Sequence, residues 1–310
     1  MKDRIHSGNP LPEPAAADIG EENFRYTWSL EYQDFDPEEE GLREALCTLG
    51  NGYFCTRGAN IESSADEIHY PGTYLAGGYN RLESEIAGEV IENEDLVNLP
   101  NWLPLIFRID GGTWFNLLEV DILFYRQVLD IKAGVLYRDL HFRDDQKRET
   151  KIAERRLVHK GNQHLAALEV TLTAVNWSGR LEVRSALDGR VINAGVDRYR
   201  ELKSKHLEPL EAYGTSSDTI FLKVQTNQSE LRLALAARTQ VFHNRELLQV
   251  ERQTVTETGY VAQHLFFDLE PEETITVGKV VALHTSRDMA ISECGLEAYP
   301  EFVGTQGSGK

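Results

Sequence analysis

The chain has 310 residues, 41% of them hydrophobic and 26% charged, a balance that supports a sizeable buried core and argues against global disorder. Its 32 basic and 50 acidic residues give a net charge of −18, a field that repels phosphate backbones and anionic lipid, so no nucleic-acid or membrane partner is expected. No apolar run approaches the roughly 20 residues of a membrane span, and the opening MKDRIHSGNPLPEPAAADIG lacks an apolar export core, so the expected location is cytoplasmic.

Residues 1–22, rich in Pro and Ala without periodicity, read as a flexible leader, with order expected from near Phe24. The length allows one large domain or two, and residues 23–290 are expected to form a single large unit. Within it, residues 50–104 are dense in Gly, Asn, Pro and aromatic side chains and read as long ordered loops. From there on, alternation at period two predominates, as half-buried strands require because successive side chains point to opposite faces. Gly111-Gly112, between LPLIFRID and TWFNLLEV, reads as a tight hairpin turn. Asn176-Trp177-Ser178-Gly179 joins LAALEVTLTA to RLEVRSAL in the same way.

Leu181, Val183, Ser185 and Leu187 form one alternating set. Charges and Pro209 in Val196–Ser217 suggest a surface excursion with a short helix. Ile220, Leu222 and Val224 give another strand, Leu231, Leu233 and Leu235 the next, and Ile275 with Val277 begins a further one. SRDMAISECGLEA at 286–298 suits a helix, and 291–310 reads as a linker or tail. Short connections imply antiparallel neighbours, so the expected fold is all-β, a large antiparallel sandwich. The closing Gly304–Lys310 fits GxxxxGK, but nothing follows the lysine to form the helix that a phosphate loop needs, and it reads as tail.

Cys47, Cys55 and Cys294 are an odd count without CxxC spacing and read as free thiols, with no zinc site. His141, His159 and His164 sit in or beside strand-like runs without ligand spacing. The carboxylates Glu62, Asp66, Glu67, Glu92, Glu94 and Asp95 read as a solvated acidic surface.

The words LGNGYFCTRG at 49–58, YPGTYLAGGYNR at 70–81 and DLVNLPNWLPL at 95–105, in that order, resemble glycoside hydrolase family 65. YRQVLDIKAGVLYRDLHF at 125–142, NWSGRLEVRSALDGRVIN at 176–193 and SRD at 286–288 support the resemblance, which runs from about Trp28 to Asp288. It implies the family's N-terminal domain, a supersandwich like that of galactose mutarotase. One departure is Cys55, where relatives commonly carry Gly; a left-handed backbone there would strain a cysteine.

The family's enzymes act on α-linked glucose disaccharides. A glutamic acid protonates the glycosidic oxygen while inorganic phosphate, or water in the hydrolases, attacks from the opposite face. The resemblance places that acid and the phosphate ligands in an (α/α)6 barrel following the sandwich. It therefore implies no catalytic residue and no cofactor in this chain, with phosphate as co-substrate of the parent enzyme. The implied partners are the enzyme's own catalytic barrel, a second copy in a homodimer, and an α-glucosidic disaccharide. An isolated domain of this kind, lacking its barrel, is expected to self-associate.

Asn51 and Arg57 offer several donors each and read either as turn structure or as contacts to a partner domain or sugar. Tyr74, Tyr79, Asn80, Asn101 and Trp102 combine flat aromatic faces with amides, the mixture that sugar-binding surfaces use, and read equally as anchors that fix a long loop on the core. A stand-alone carbohydrate-binding module and a mutarotase-type enzyme using histidine with a carboxylate are the competing readings.

Overall fold

Residues 28–194 and 202–288 are described by a computed structural model. Its elements in chain order are β1 (Ser29–Tyr32), helix α1 (Glu40–Leu46), β2 (Leu49–Gly50), β3 (Phe54–Thr56), β4 (Thr73–Leu75), β5 (Tyr79–Ile86), β6 (Glu89–Leu96) and β7 (Leu105–Ile109). Then come β8 (Asp121–Asp130), β9 (Val135–Arg143), β10 (Glu149–Val158), β11 (Leu165–Ala174), β12 (Gly179–Asp188) and β13 (Leu207–Ser216). The last are β14 (Thr219–Thr226), β15 (Arg232–His243), β16 (Glu246–Leu248), β17 (Glu251–Glu257), β18 (Tyr260–Leu269) and β19 (Thr274–Thr285).

A ten-stranded sheet runs β1-β8-β9-β10-β11-β19-β15-β14-β13, with β16 on β15, and a four-stranded sheet runs β17-β18-β12-β7. Each pairing in both sheets is antiparallel. The all-β sandwich expected from alternation is therefore what the chain forms. Leu181, Val183, Ser185 and Leu187 of β12 are buried together, facing the large sheet. Each buried Leu or Val in such a row contributes roughly 1.5–3 kcal/mol. The polar member, Ser185, is satisfied across the interior by Thr239 of β15 at 2.7 Å.

Where expectation and structure differ, packing decides. Asp110 and Gly111 take positive φ, 52° and 68°, but the turn closes no hairpin. TWFNLLEV instead folds back so that Phe115 stacks on Phe107 at 5.0 Å, and the chain moves to the large sheet at β8. Asn176–Gly179 likewise changes sheets, from β11 to β12. Trp177 plugs that corner, its indole donating to Glu149 O and Thr150 Oγ1 at 3.0 Å each.

Residues 50–104 are not all loop, because β2, β3 and β4 form a small sheet and β5 and β6 a hairpin. The excursion read at 196–217 contains the edge strand β13, whose Pro209 sits at a bulge, one of the few places a sheet tolerates proline. Cys55 is not strained: it lies within β3, and the left-handed residue of that word is Gly52, φ 89°. Gly58 is needed for contact, since a Cβ there would meet Cys47 Cβ at 2.5 Å. Cys47 and Cys55 are free thiols. The leader, the tail with its GxxxxGK, Cys294 and most of the helix read at 286–298 lie outside the described residues.

The half of the large sheet left uncovered by the small one is closed by α1 and the chain that follows it, through buried charge. Arg138 of β9 grips Glu62 through both terminal nitrogens at 2.7 Å and meets Glu154 of β10 at 2.9 Å. Glu62 is thus no solvated surface acid. Glu44 of α1 accepts from Tyr70 N at 2.9 Å and pairs with His69 Nδ1 at 3.0 Å. These partners fix residues 57–70 against the sandwich.

Candidate functional site

A cleft of about 350 Å³ opens where this fixed segment meets the outer face of the small sheet. Residues 61–65 and Pro71 form one wall, Asn98, Asn101 and Pro104 another, and Ile106, Arg184, Asp188, Arg190 and Tyr260 belong to the β7-β12-β18 side. Its size lies at the lower end of the roughly 300–1,000 Å³ range typical of ligand pockets.

The Asn-Pro-rich word before β7 builds the second wall. Asn101 makes a backbone bridge to Asp188, at 2.7 and 3.0 Å, while its Oδ1 accepts from Leu103 N at 3.0 Å. Trp102 beside it is turned into the core, 1% exposed. Asn98 is occupied by the fold: its Oδ1 accepts from Thr73 N at 3.1 Å and its Nδ2 donates to Ile192 O at 3.3 Å.

The sheet face contributes stacked charge. Trp114 carries two arginines over its ring, Arg184 at 4.3 Å and Arg108 at 4.6 Å from the centroid. Glu182 accepts from Arg108 Nε and pairs with His264 Nδ1, both at 2.6 Å. Burial pushes the Glu182 carboxyl up, but hydrogen bonds from Arg108 and His264 outweigh it and hold the group below its usual range. Arg190 lies 4.2 Å over the Tyr260 ring and pairs with Asp188 and Glu257, each at 2.8 Å. Burial raises the Tyr260 phenol, which stays a neutral donor.

Chemically, the cleft offers hydrogen-bonding groups and no free acid among the described residues. Among the described residues the two carboxylates lining the cleft are ion-paired, Glu62 with Arg138 and Asp188 with Arg190. Burial raises Glu62, but Arg138 overcomes this and leaves it lowered, the opposite of what a general acid requires.

The residues singled out from sequence do not converge on one place. Asn101 lines the cleft and Trp102 supports it from below. Arg57 donates to Gly41 O at 2.9 Å and lies 5.6 Å over Tyr70, while the phenol of Tyr74 is raised by burial and by Tyr70; both brace the chain beside Pro71. Asn80 lies elsewhere, buried at the base of the β5–β6 hairpin, contacting His206 and Asn227 at 3.0 and 2.8 Å, next to the half-exposed Tyr79. Asn51 donates to His159 O and Gln163 O, both at 2.9 Å, pinning its turn to the large sheet.

Arg184, Arg190, Trp114 and Tyr260 are not legible as a site, because Arg184 and Tyr260 sit in separate strands, β12 and β18, while Trp114 and Arg190 lie in the links that follow β7 and β12. His164, His284 and Asp288 also come together, within 4.8 Å, without any spacing to announce it. The two imidazoles stack at 4.0 Å and 11°, so their in-plane lone pairs run side by side instead of converging on a single ion.

Comparison with known proteins adds the following. The model of the glycosyl hydrolase family 65 N-terminal domain matches residues 30–305. An uncharacterized glycosyl hydrolase of Mycobacterium tuberculosis is 41% identical over 271 residues, 87% of this chain and 20% of that protein. The kojibiose phosphorylase of Caldanaerobacter subterraneus is 30% identical over 266 residues, 84% of this chain and 33% of that one. The trehalose 6-phosphate phosphorylase of Lactococcus lactis is 30% identical over 263 residues, 84% and 32%. A solved human-microbiome structure, provisionally described as a kojibiose phosphorylase, superposes with a TM-score of 0.73 at 18% identity, over 90% of this chain and 34% of that one. The chain thus spans a fifth to a third of the length of these relatives. Among the described residues, no helix is long and apolar enough to cross a membrane.

Proposed function

Since the chain belongs to glycosyl hydrolase family 65, as that family's N-terminal domain, we propose that it is the supporting sandwich of a longer α-glucoside phosphorylase or hydrolase. In this reading it packs against a helical catalytic barrel, walls one side of the approach to its active site and contributes to a homodimer. The barrel carries the general-acid glutamate and the ligands for inorganic phosphate, the substrate is an α-glucosidic disaccharide, and the enzyme works in the cytoplasm. The observation that carries the reading is the fraction of each relative that the chain covers: about a third of the phosphorylases named above.

The surface supports it. At the start of β8, Ile122, Leu123 and Phe124 are exposed in succession, on both faces of the strand, beside exposed Leu118. Consecutive apolar residues left in water mark a surface that another domain covers.

The test is reconstitution. This chain and the separately expressed remainder of its full-length protein are mixed, and phosphate-dependent release of glucose 1-phosphate from kojibiose, trehalose and maltose is followed. Association with recovery of activity is expected. Two folded fragments that neither associate nor turn over any of these sugars would overturn the proposal.

A further inference from the structure

We propose that the cleft beside β12 is an oxyanion site anchored by Arg184, suited to a sugar that bears a phosphate or carboxylate group. Arg184 shares the outer face of β12 with Glu182 and Asp188, because residues two and four apart on a strand point the same way. Both carboxylates are committed elsewhere: Glu182 to Arg108 and His264, Asp188 to Arg190. The neighbouring arginines are all neutralised, Arg108 by Glu182, Arg180 by Glu251 and Arg190 by Asp188 and Glu257. Arg184 is the exception. Its Nε is buried and has no hydrogen-bond partner among the described residues.

What holds Arg184 in place is Trp114, 4.3 Å from ring centroid to guanidinium. This contact restrains the guanidinium without using its donors, and a restrained fork loses little entropy when it meets a planar or tetrahedral oxyanion. Arg184 also lines the cleft. In a chain of net charge −18, an arginine with no counter-ion among the described residues marks a place where an anion is stabilised rather than repelled.

The rest of the cleft fits hydroxyl groups. Asn101 spends its Oδ1 on Leu103 N, and among the described residues no group accepts from its Nδ2. Ser64 and the neutral phenol of Tyr260 line the same space. The charge of Glu62 on the opposite wall is absorbed by Arg138. A hexose ring carrying one anionic substituent matches this pairing of a cation with neutral donors.

Calorimetry on the 310-residue chain at low ionic strength provides the test, with glucose 6-phosphate, glucuronate, inorganic phosphate and glucose as separate titrants. Glucose 6-phosphate or glucuronate is expected to bind more tightly than phosphate or glucose, and comparison of the two tells a phosphate from a carboxylate. Arg184→Gln should weaken binding about tenfold or more, since a charged hydrogen bond is worth about 1.5–3 kcal/mol. Arg184→Lys should keep part of the affinity, and Arg155→Gln, on an exposed pair with Glu169, should keep all of it. Absence of binding by every anion overturns the proposal, as does undiminished binding by a natively folded Arg184→Gln. Phosphate binding as tightly as either anionic sugar overturns the sugar part, and glucose binding as tightly overturns the oxyanion part.

Discussion

The phenol of Tyr53 donates to Asp288, its Oη 2.7 and 2.8 Å from the two carboxylate oxygens, so the turn after β2 is tied to the residues that follow the last strand. Asp288 also accepts from Thr285 N at 2.6 Å, and Tyr53 packs edge-on against His164 at 4.7 Å. The LGNGYFCTRG word is thereby a clamp on the turn that follows β19.

Tyr53→Phe removes that clamp and should destabilise the fold by about 1.5–3 kcal/mol, the worth of a hydrogen bond to a charged group. The Asp288 side chain is only 8% exposed, so water replaces the phenol poorly. Urea denaturation measures the loss as a lower midpoint with unchanged slope.

Arg138→Met should cost more, about 3–5 kcal/mol, because it strips the buried Glu62 of its counter-ion and leaves the buried Glu154 with Arg156 alone, 3.7 Å away. Their side chains are 6% exposed for Glu62 and 2% for Glu154. Changing Glu62 to Leu as well should restore part of the stability, since Glu154 keeps Arg156, and urea midpoints of the single and double variants check both statements.

Much of the fold was legible because the strands under the two sheets alternate cleanly, as Leu181, Val183 and Leu187 do. The hairpin β5–β6 was not. The buried residues of β5 are Asn80, Leu82 and Ser84, and β6 is nearly all exposed and acidic, so neither carries an apolar stripe. Sheet order was hidden for another reason: short links such as Asn176–Gly179 serve equally for a hairpin and for a change of sheet, and only the packing of Trp177 decides. Of the candidate site, Asn101 is legible because its amide belongs to a run that mixes amides with flat aromatic faces, as sugar-binding surfaces do. Arg184 was missed because its significance lies in which acids its neighbours have already taken.

Glu40, in α1, makes stability fall as pH rises. Burial, only partly offset by His69, raises its carboxyl to about 7 from 4.5, so between these values the folded state holds a proton that the unfolded state has released. That extra stability is complete below 4.5 and gone above about 7. Glu40→Gln should flatten this part of the profile, by about 3 kcal/mol at most, in thermal unfolding followed from pH 4.5 to 8. His69 is also raised, against its own burial, by Glu44, so a smaller decline should remain.

Lys279 gives the opposite slope at alkaline pH. It is completely buried, its Nζ donating to Ala186 O at 2.8 Å and Pro104 O at 3.1 Å, and burial lowers it well below 10.5. Between its folded value and 10.5 the unfolded chain binds the extra proton, so stability rises with pH through that window and is lost as pH falls through the folded value. Lys279→Met should abolish the rise, as read from urea midpoints across the alkaline range.

The apolar start of β8 predicts a separation of folding from assembly. Phe124→Asp should leave the circular dichroism and melting of this chain nearly unchanged, because Phe124 is 51% exposed. It should weaken association with the remainder of the protein in sedimentation. Unchanged association would place the contact elsewhere.

The place of β19 in the large sheet has a consequence for biosynthesis. This strand, the last of the described ones, lies between β11 and β15 and pairs with both along its length. Until Thr285 has emerged from the ribosome, strands β8 to β11 and β13 to β16 are two separate half-sheets, each with an open edge able to recruit other chains. Strand β1 waits in the same way for β8, Ser29 pairing with Asp130. Such long-range closures make folding slow, and a nascent chain stalled before residue 274 holds every strand of the large sheet except the one that joins its halves. Such a chain is expected to depend on chaperones, and to aggregate when translation is interrupted there.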